Sequence, residues 1–329
     1  SGASGDGCKA AQAKPPTATI PATPRMAAIG EGRAAPRFLS PVASSALAAV
    51  PLASSIYQAA EIIRRSGNAQ AQAEWLPRLV SGEAIATVIA PLHGQSVLPA
   101  APATLHNDRL SGTFHAVADG MAATMAVVLS GDALVLLDLR QASVTRVAQK
   151  SLDPTRPLAR ITCDGAMVEM LLPTGGAALA RTVTDGAAVL TAFEQVGGAE
   201  AALYAARDYA MERTAFGRPI GGFQAVKHKL ADMFVAVELA RSHAYYGAWA
   251  LASDASELTR AAAAARVAAS DAYVMVSEES LHLHGGIGYT WDMDCHLHLR
   301  RARSLAQVLG STAVWRERLA ATLITEQAA

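Results

Sequence analysis

Apolar positions recur at helical spacing over residues 44–65, and Gly67 ends that run. A second helical stretch covers 71–80, with Pro77 near its start or at a kink. From about residue 85 to 169 the period shortens towards two, the mark of strands with one face buried. Within it, residues 126–139 hold two short apolar runs split by Ser130, Gly131 and Asp132, which predicts a hairpin. Residues 161–172 predict a further strand pair, and 152–159 a turn-rich connector. Residues 175–186 lead into helices over 189–213, 223–253, 257–282, 295–308 and 312–322. In the second of these, Phe223, Val226, Leu230, Met233 and Val237 line one apolar face. Gly217, Pro219, Gly221 and Gly222 break the chain just before it.

The expected fold is α+β. It comprises an Ala/Pro/Gly-rich flexible leader (1–37), an N-terminal helical region (38–84), a middle domain of mostly antiparallel strands forming a small barrel or sandwich (85–174), and a C-terminal up-down four-helix bundle (175–329). Composition agrees with packed helices, since 51% of the 329 residues are hydrophobic. Lys plus Arg equals Asp plus Glu, 28 each, so charge gives no reason to expect nucleic acid or an anionic membrane as partner. The three cysteines, Cys8, Cys163 and Cys295, are far apart and odd in number, which fits a reducing compartment. The apolar stretch 42–56 is too short to span a membrane and is interrupted by serines and Pro51. No basic segment leads into an apolar one, so no signal peptide is expected, and the expected setting is cytoplasmic.

The corner around residue 213 carries more than a helix break. Arg213, Phe216, Gly217, Pro219, Ile220, Phe223 and Gln224, followed by Leu230-Ala-Asp-Met233, resemble the C-terminal helical domain of acyl-CoA dehydrogenases. A second block, Leu281-His-Leu-His-Gly-Gly-Ile-Gly-Tyr-Thr-Trp291 and then Leu297-His-Leu-Arg-Arg-Ala-Arg303, resembles the same family in the right order. The likeness is clear from about residue 151 onwards and fainter before it. The string Glu74-Trp-Leu-Pro-Arg-Leu-Val-Ser-Gly-Glu83 resembles the family's link from helical to sheet domain, and the N-terminal helical region is reduced by comparison. Leu152-Asp-Pro-Thr-Arg-Pro-Leu-Ala159 resembles the steroid-side-chain branch.

The resemblance implies α,β-desaturation of an acyl-CoA thioester. A carboxylate takes the α proton and FAD takes the β hydride, while donors polarise the thioester carbonyl. In this family one FAD lies across two subunits. By that likeness Arg213 meets the diphosphate, Phe216, Phe223 and Gln224 stand beside it, and His282, Leu283, His284, Gly285 and Gly286 wrap the adenosine. His282 stands where the family more often has Gln.

The flavin-ring half reads as lost. The family's Thr-Glu-Pro and Gly-Ser-Asp run matches Ile89-Ala-Pro-Leu-His-Gly-Gln-Ser96, which keeps only Pro91 and Gly94. Ala116, Val117 and Ala118 stand in place of Trp-Ile-Thr, and alanine can neither stack on a flavin nor offer it a hydroxyl. The two positions that carry the base in different branches are Leu309 and Ala187, neither of which takes a proton. No catalytic residue is therefore assigned; Asp185 and Glu194 are the nearest carboxylates. His282, His284, Cys295, His296 and His298 do not share a helical face, so no metal is expected. Gly285-Gly-Ile-Gly288 follows no strand, which argues against a dinucleotide fold.

The chain resembles the actinobacterial-type steroid-CoA dehydrogenases, and that resemblance implies a subunit of an α2β2 acyl-CoA dehydrogenase acting in steroid or cholesterol side-chain degradation. It shares FAD with a homologous catalytic partner and passes electrons to an electron-transfer flavoprotein. The alternatives are a self-sufficient homo-oligomer with Asp185 or Glu194 as a relocated base, and a non-catalytic structural subunit.

Overall fold

A computed structural model describes residues 47–90 and 103–327, with side chains through residue 324. The predicted leader and residues 91–96 of the sequence matched to Thr-Glu-Pro lie outside the described residues. Among the described residues helix begins at Leu52; residues 47–50, inside the predicted 44–65 run, are not helical, and Pro51 disfavours helical backbone in the residue before it. Leu52–Ala60 winds as a π-helix and passes directly into α1, Glu61–Arg65. Its buried serines bind the sheet domain: Ser54 donates to Asp119 Oδ2 at 2.6 Å, and Ser55 Oγ accepts the Ala86 N–H at 3.1 Å. Helix α2, Ala69–Ser81, is capped by the Asn68 side chain, which accepts the Ala71 N–H, and ends at Gly82 with φ +78°. Pro77 lies well inside this helix rather than near its start.

Seven strands follow: β1 (Ala86–Ile89), β2 (Thr104–His106), β3 (Arg109–Ala118), β4 (Met125–Ser130), β5 (Ala133–Asp138), β6 (Val144–Gln149) and β7 (Leu158–Leu172). Their order is β1-β4-β5-β7-β3-β2, with β6 also on β7. All of these pairings are antiparallel except β1 with β4. The predicted hairpin is β4–β5, turning through Gly131 and Asp132 with Gly131 at φ +62°, the first-position glycine of a type II′ turn. The strand pair predicted over 161–172 is one continuous strand instead. Gly165, at φ +60°, bends β7 without reversing it. The first part of β7 pairs with β3 and β6, and the last part with β5. Val127, Leu129, Leu134 and Leu136 face the N-terminal helices, while Ala126, Val128, Val135 and Leu137 fill the core between the strands.

The helical region consists of α3 (Gly176–Glu212), α4 (Gln224–Ala252), α5 (Leu258–His284), α6 (Cys295–Leu305) and α7 (Thr312–Gln327). Helix α3 starts 13 residues before the predicted 189 and runs about 55 Å. Its first turns, 176–182, are mostly Gly and Ala, which mark no strong apolar face, and from Val183 to Ala199 nearly every side chain is buried, so no 3.6-residue stripe leads into the predicted start. Its start is fixed from the hairpin turn. Asp132 accepts the Gly175 N–H at 2.7 Å and the Ala177 N–H at 3.1 Å. A Cβ on Gly176 would stand 2.7 Å from the Asp132 carbonyl oxygen. The far half of α3 packs with α4 and α5 through small residues such as Gly247, where a Cβ would lie 3.0 Å from Val189.

Candidate functional site

Helix α3 ends where Arg213 takes extended backbone while its N–H still bonds to the Tyr209 carbonyl at 2.8 Å. A two-stranded hairpin follows, β8 (Thr214–Ala215) with β9 (Arg218–Pro219). Both turn residues lie in the left-handed region, Phe216 at φ +53° and Gly217 at φ +79°, as a type I′ turn requires. The turn holds Phe216 almost wholly in solvent, 95% exposed. The Arg218 guanidinium lies 4.1 Å over the Phe223 ring, and Phe216 meets that ring edge-on at 6.2 Å. The Ile220 N–H returns to the Arg213 carbonyl at 2.8 Å, so the hairpin folds back beside Arg213. Gln224 then opens α4 in an exposed position, and no side chain caps that helix start. Arg213 is exposed and makes no ion pair among the described residues, although its own helix end offers no neutralising acid beyond Glu212. A free guanidinium beside an uncapped helix start suits a phosphate.

The second motif meets the first. His284, at the end of α5, stacks on Tyr209 of α3, with ring centroids 4.5 Å apart and an interplanar angle of 27°. Its Nδ1 is 2.7 Å from the Ser280 carbonyl oxygen, and the side chain is buried. The His284 side chain is thus turned into the bundle, and only its backbone lies towards the exposed Gly285–Gly286 turn. His282 is exposed, 3.9 Å from Glu279, and Leu283 packs against the bundle core. Gly285 takes φ +65° and ψ −145°, a conformation that only glycine adopts readily. Gly286 is more telling. It is exposed, has no positive φ, and a Cβ there would meet nothing within 4 Å. Neither packing nor backbone strain demands glycine at that position.

The residues matched to the flavin-ring half are arranged differently. Ala116, at φ +53°, sits in a bulge of β3, and its N–H is taken by Gln149 Oε1 of β6 at 2.8 Å. Val117 is a core residue, and the Ala118 carbonyl accepts the Thr87 hydroxyl at 2.7 Å. Leu309, at φ +62°, packs against the bundle core, and Ala187 is buried in α3. One turn before Ala187, a cavity of about 50 Å³ is lined by Gln58, Ile62, Val88, Ala90, Val183 and Thr184, far below the several hundred Å³ of a ligand pocket.

Neither nearby carboxylate stands free. Because α3 begins at Gly176, Asp185 and Ala187 are both helical and point about 200° apart. Asp185 accepts from Arg318 at 2.6 Å and from Thr259 at 3.0 Å. Burial pushes its carboxyl up, against the opposing pull of Arg318 and Thr259. Glu194 is buried between Arg156 and Arg301, the latter at 3.2 Å. Arg301, itself fully buried, also holds Asp153 at 2.5 Å and bonds to Thr155. This closed cluster of two arginines and two acids went unnoticed in the sequence, where Arg156 and Arg301 lie 38 and 107 residues from Glu194. His298 and Cys295 are core groups: His298 shares a hydrogen bond with the Tyr273 hydroxyl, and the Cys295 thiol donates to the Gly288 carbonyl. Among the described residues no three His, Cys, Asp or Glu side chains could hold a metal ion, and no helix is long and apolar enough to cross a membrane.

The pattern that defines the acyl-CoA dehydrogenase C-terminal domain matches residues 174–324. Acyl-CoA dehydrogenase FadE27 of Mycobacterium tuberculosis is 33% identical over 279 residues, covering 80% of this chain and 74% of that protein. The chain belongs to the acyl-CoA dehydrogenase family. Acyl-CoA dehydrogenase IpdE2 of the same organism is 43% identical over 163 residues, 49% of this chain and 46% of the relative. The chain thus spans about half the length of that curated relative, and 57% of the IpdE2 of Mycolicibacterium smegmatis. Among solved structures, the ChsE4-ChsE5 complex from Mycobacterium tuberculosis aligns with a TM-score of 0.78 at 28% identity, over 87% of this chain and 79% of that one. The Tcur3481-Tcur3483 steroid ACAD aligns with the same TM-score and identity, over 88% and 81%.

Proposed function

We propose that this chain is the base-lacking subunit of a hetero-oligomeric, FAD-dependent acyl-CoA dehydrogenase, an α2β2 assembly with a homologous base-bearing subunit. The observation that carries this reading is an asymmetry. Arg213, Phe216 and Gly286 stand exposed, Arg213 with no ion pair among the described residues, whereas the positions implied for the base hold Leu309 and Ala187. When bound, FAD supplies the hydride acceptor for desaturation of an acyl-CoA thioester. Arg213 would neutralise its diphosphate across the subunit boundary, Phe216, Phe223 and Gln224 would flank it, and the His282–Gly286 backbone would approach the adenosine. The partner subunit would hold the flavin ring, the thioester and the base, and an electron-transfer flavoprotein would take the electrons onwards.

The acyl group we propose is a steroid side chain. Support comes from the 152–159 string and from the likeness to the Tcur3481-Tcur3483 steroid ACAD. The setting we propose is the reducing cytoplasm, with Cys163 and Cys295 as free buried thiols. A relocated base finds no support in the geometry, since Asp185 and Glu194 are each committed to arginine.

Arg213→Ala tests the reading against a purely structural role. In the complex with the base-bearing subunit, it is expected to weaken FAD binding by about tenfold or more, the loss of one charge-assisted phosphate contact. An unchanged FAD affinity would mean that the chain contributes only structure.

A further inference from the structure

Resting on that half-site reading, we infer that the Tyr209–His284 stack is the joint that sets the distance between the diphosphate-facing and adenosine-facing halves of the site. The two halves come from segments about 70 residues apart in sequence and from different helices. Nothing covalent fixes their spacing, and both end in irregular backbone: the extended cap at Arg213 and the glycine turn at Gly285. The ring contact bridges them just behind those two ends. On one side, Tyr209 gives its carbonyl to the Arg213 N–H at 2.8 Å, so a shift of Tyr209 moves the base of the arginine. On the other, His284 immediately precedes Gly285, and its Nδ1 is anchored to the Ser280 carbonyl oxygen of its own helix at 2.7 Å.

The stack is also boxed in. Gly288 lies against the His284 Cβ, where a Cβ of its own would stand at 3.1 Å. The Cys295 thiol ties the Gly288 carbonyl down at 3.3 Å. His284 is thus held from its own helix, from the following turn and from α3. Tyr209 is half-buried, and its hydroxyl has no hydrogen-bond partner among the described residues, so the face of the ring is the part that works. Tyr209 and His284 are positioning residues: they act through Arg213 and the Gly285–Gly286 backbone.

The test measures FAD affinity in the complex with the base-bearing subunit. Tyr209→Ala is expected to weaken FAD binding by about tenfold, and Tyr209→Phe, which keeps the ring, to restore it to within about twofold. Subunit mass is expected to be unchanged in both. In an Arg213→Ala background, adding Tyr209→Ala is expected to cost clearly less than it does alone, because a missing guanidinium cannot be misplaced and only the Gly285–Gly286 side remains to shift. The same loss from Tyr209→Ala in both backgrounds, or a loss that Tyr209→Phe does not restore, would overturn the joint. A loss in Arg213→Ala with none in Tyr209→Ala would overturn the joint and leave the half-site reading standing. No loss in Arg213→Ala would bring down both.

Discussion

At Leu309 the backbone adopts a left-handed conformation that costs a branched side chain about 1–2 kcal/mol. The family resemblance puts a catalytic carboxylate there, and the leucine instead packs against the bundle core. His298 makes a second residue-scale point. Burial, reinforced by Arg301 and partly opposed by Asp294, lowers its pKa from 6.5 to about 4. The unfolded chain therefore binds a proton below pH 6.5 that the folded chain refuses until about pH 4. More protons on the unfolded side mean that stability falls as pH drops through this window, by about 3 kcal/mol in total from this group. Urea midpoints between pH 7 and 4 are expected to show this decline in the wild type and a shallower one in His298→Gln. Parallel slopes would remove His298 as the cause. Both residues were visible as letters in the sequence. Leu309 stood out there by comparison with a family position, and His298 only as one of several histidines weighed against a metal site, with nothing to show its burial.

Some elements were legible in the sequence. The β4–β5 hairpin, though buried on both faces, declared itself through two apolar runs split by Ser130, Gly131 and Asp132, and α2 through the helical stretch 71–80. The start of α3 did not, since its middle is buried on all sides, and β7 hid a bend at Gly165 that reads as a turn. What starts α3 is a side chain 43 residues upstream, the Asp132 carboxylate bound to the Gly175 N–H. Those N–H bonds, from Gly175 first and Ala177 second, hold the Asp132 carboxyl below its ordinary range. The cap is therefore present above the unfolded pKa near 3.8 and is lost as pH falls through the depressed folded value. Asp132→Ala is expected to speed amide hydrogen exchange at Gly175 and Ala177 while leaving the bundle's exchange unchanged. Unaltered protection at those two amides would show that the close fit of Gly176 fixes the helix start by itself.

On the scale of the whole molecule, the buried cluster of Arg301, Asp153, Glu194 and Arg156 joins the 152–159 connector, α3 and α6 at a single point. No local pattern announces such a cluster, because its members are scattered through the chain and each alone reads as a surface charge. Arg301→Met would strand the buried Asp153 carboxylate and leave Glu194 with Arg156 alone, and is expected to cost about 3–5 kcal/mol in chemical denaturation. A loss under about 1 kcal/mol would mean that the cluster is not a keystone. The candidate site was legible in a similar, partial way. Arg213, Phe216 and Gly286 were found by resemblance and stand exposed, but the sequence could not tell that His284 faces inward or that Tyr209 links the two motifs.

The measurement that bears most directly on the central claim is the flavin content of this chain, purified alone and in complex with a homologous base-bearing subunit, alongside the mass of each assembly. The half-site account predicts no stoichiometric flavin for the chain alone and one FAD per unlike pair in the complex. One FAD per chain in a homo-oligomer that oxidises an acyl-CoA would contradict it.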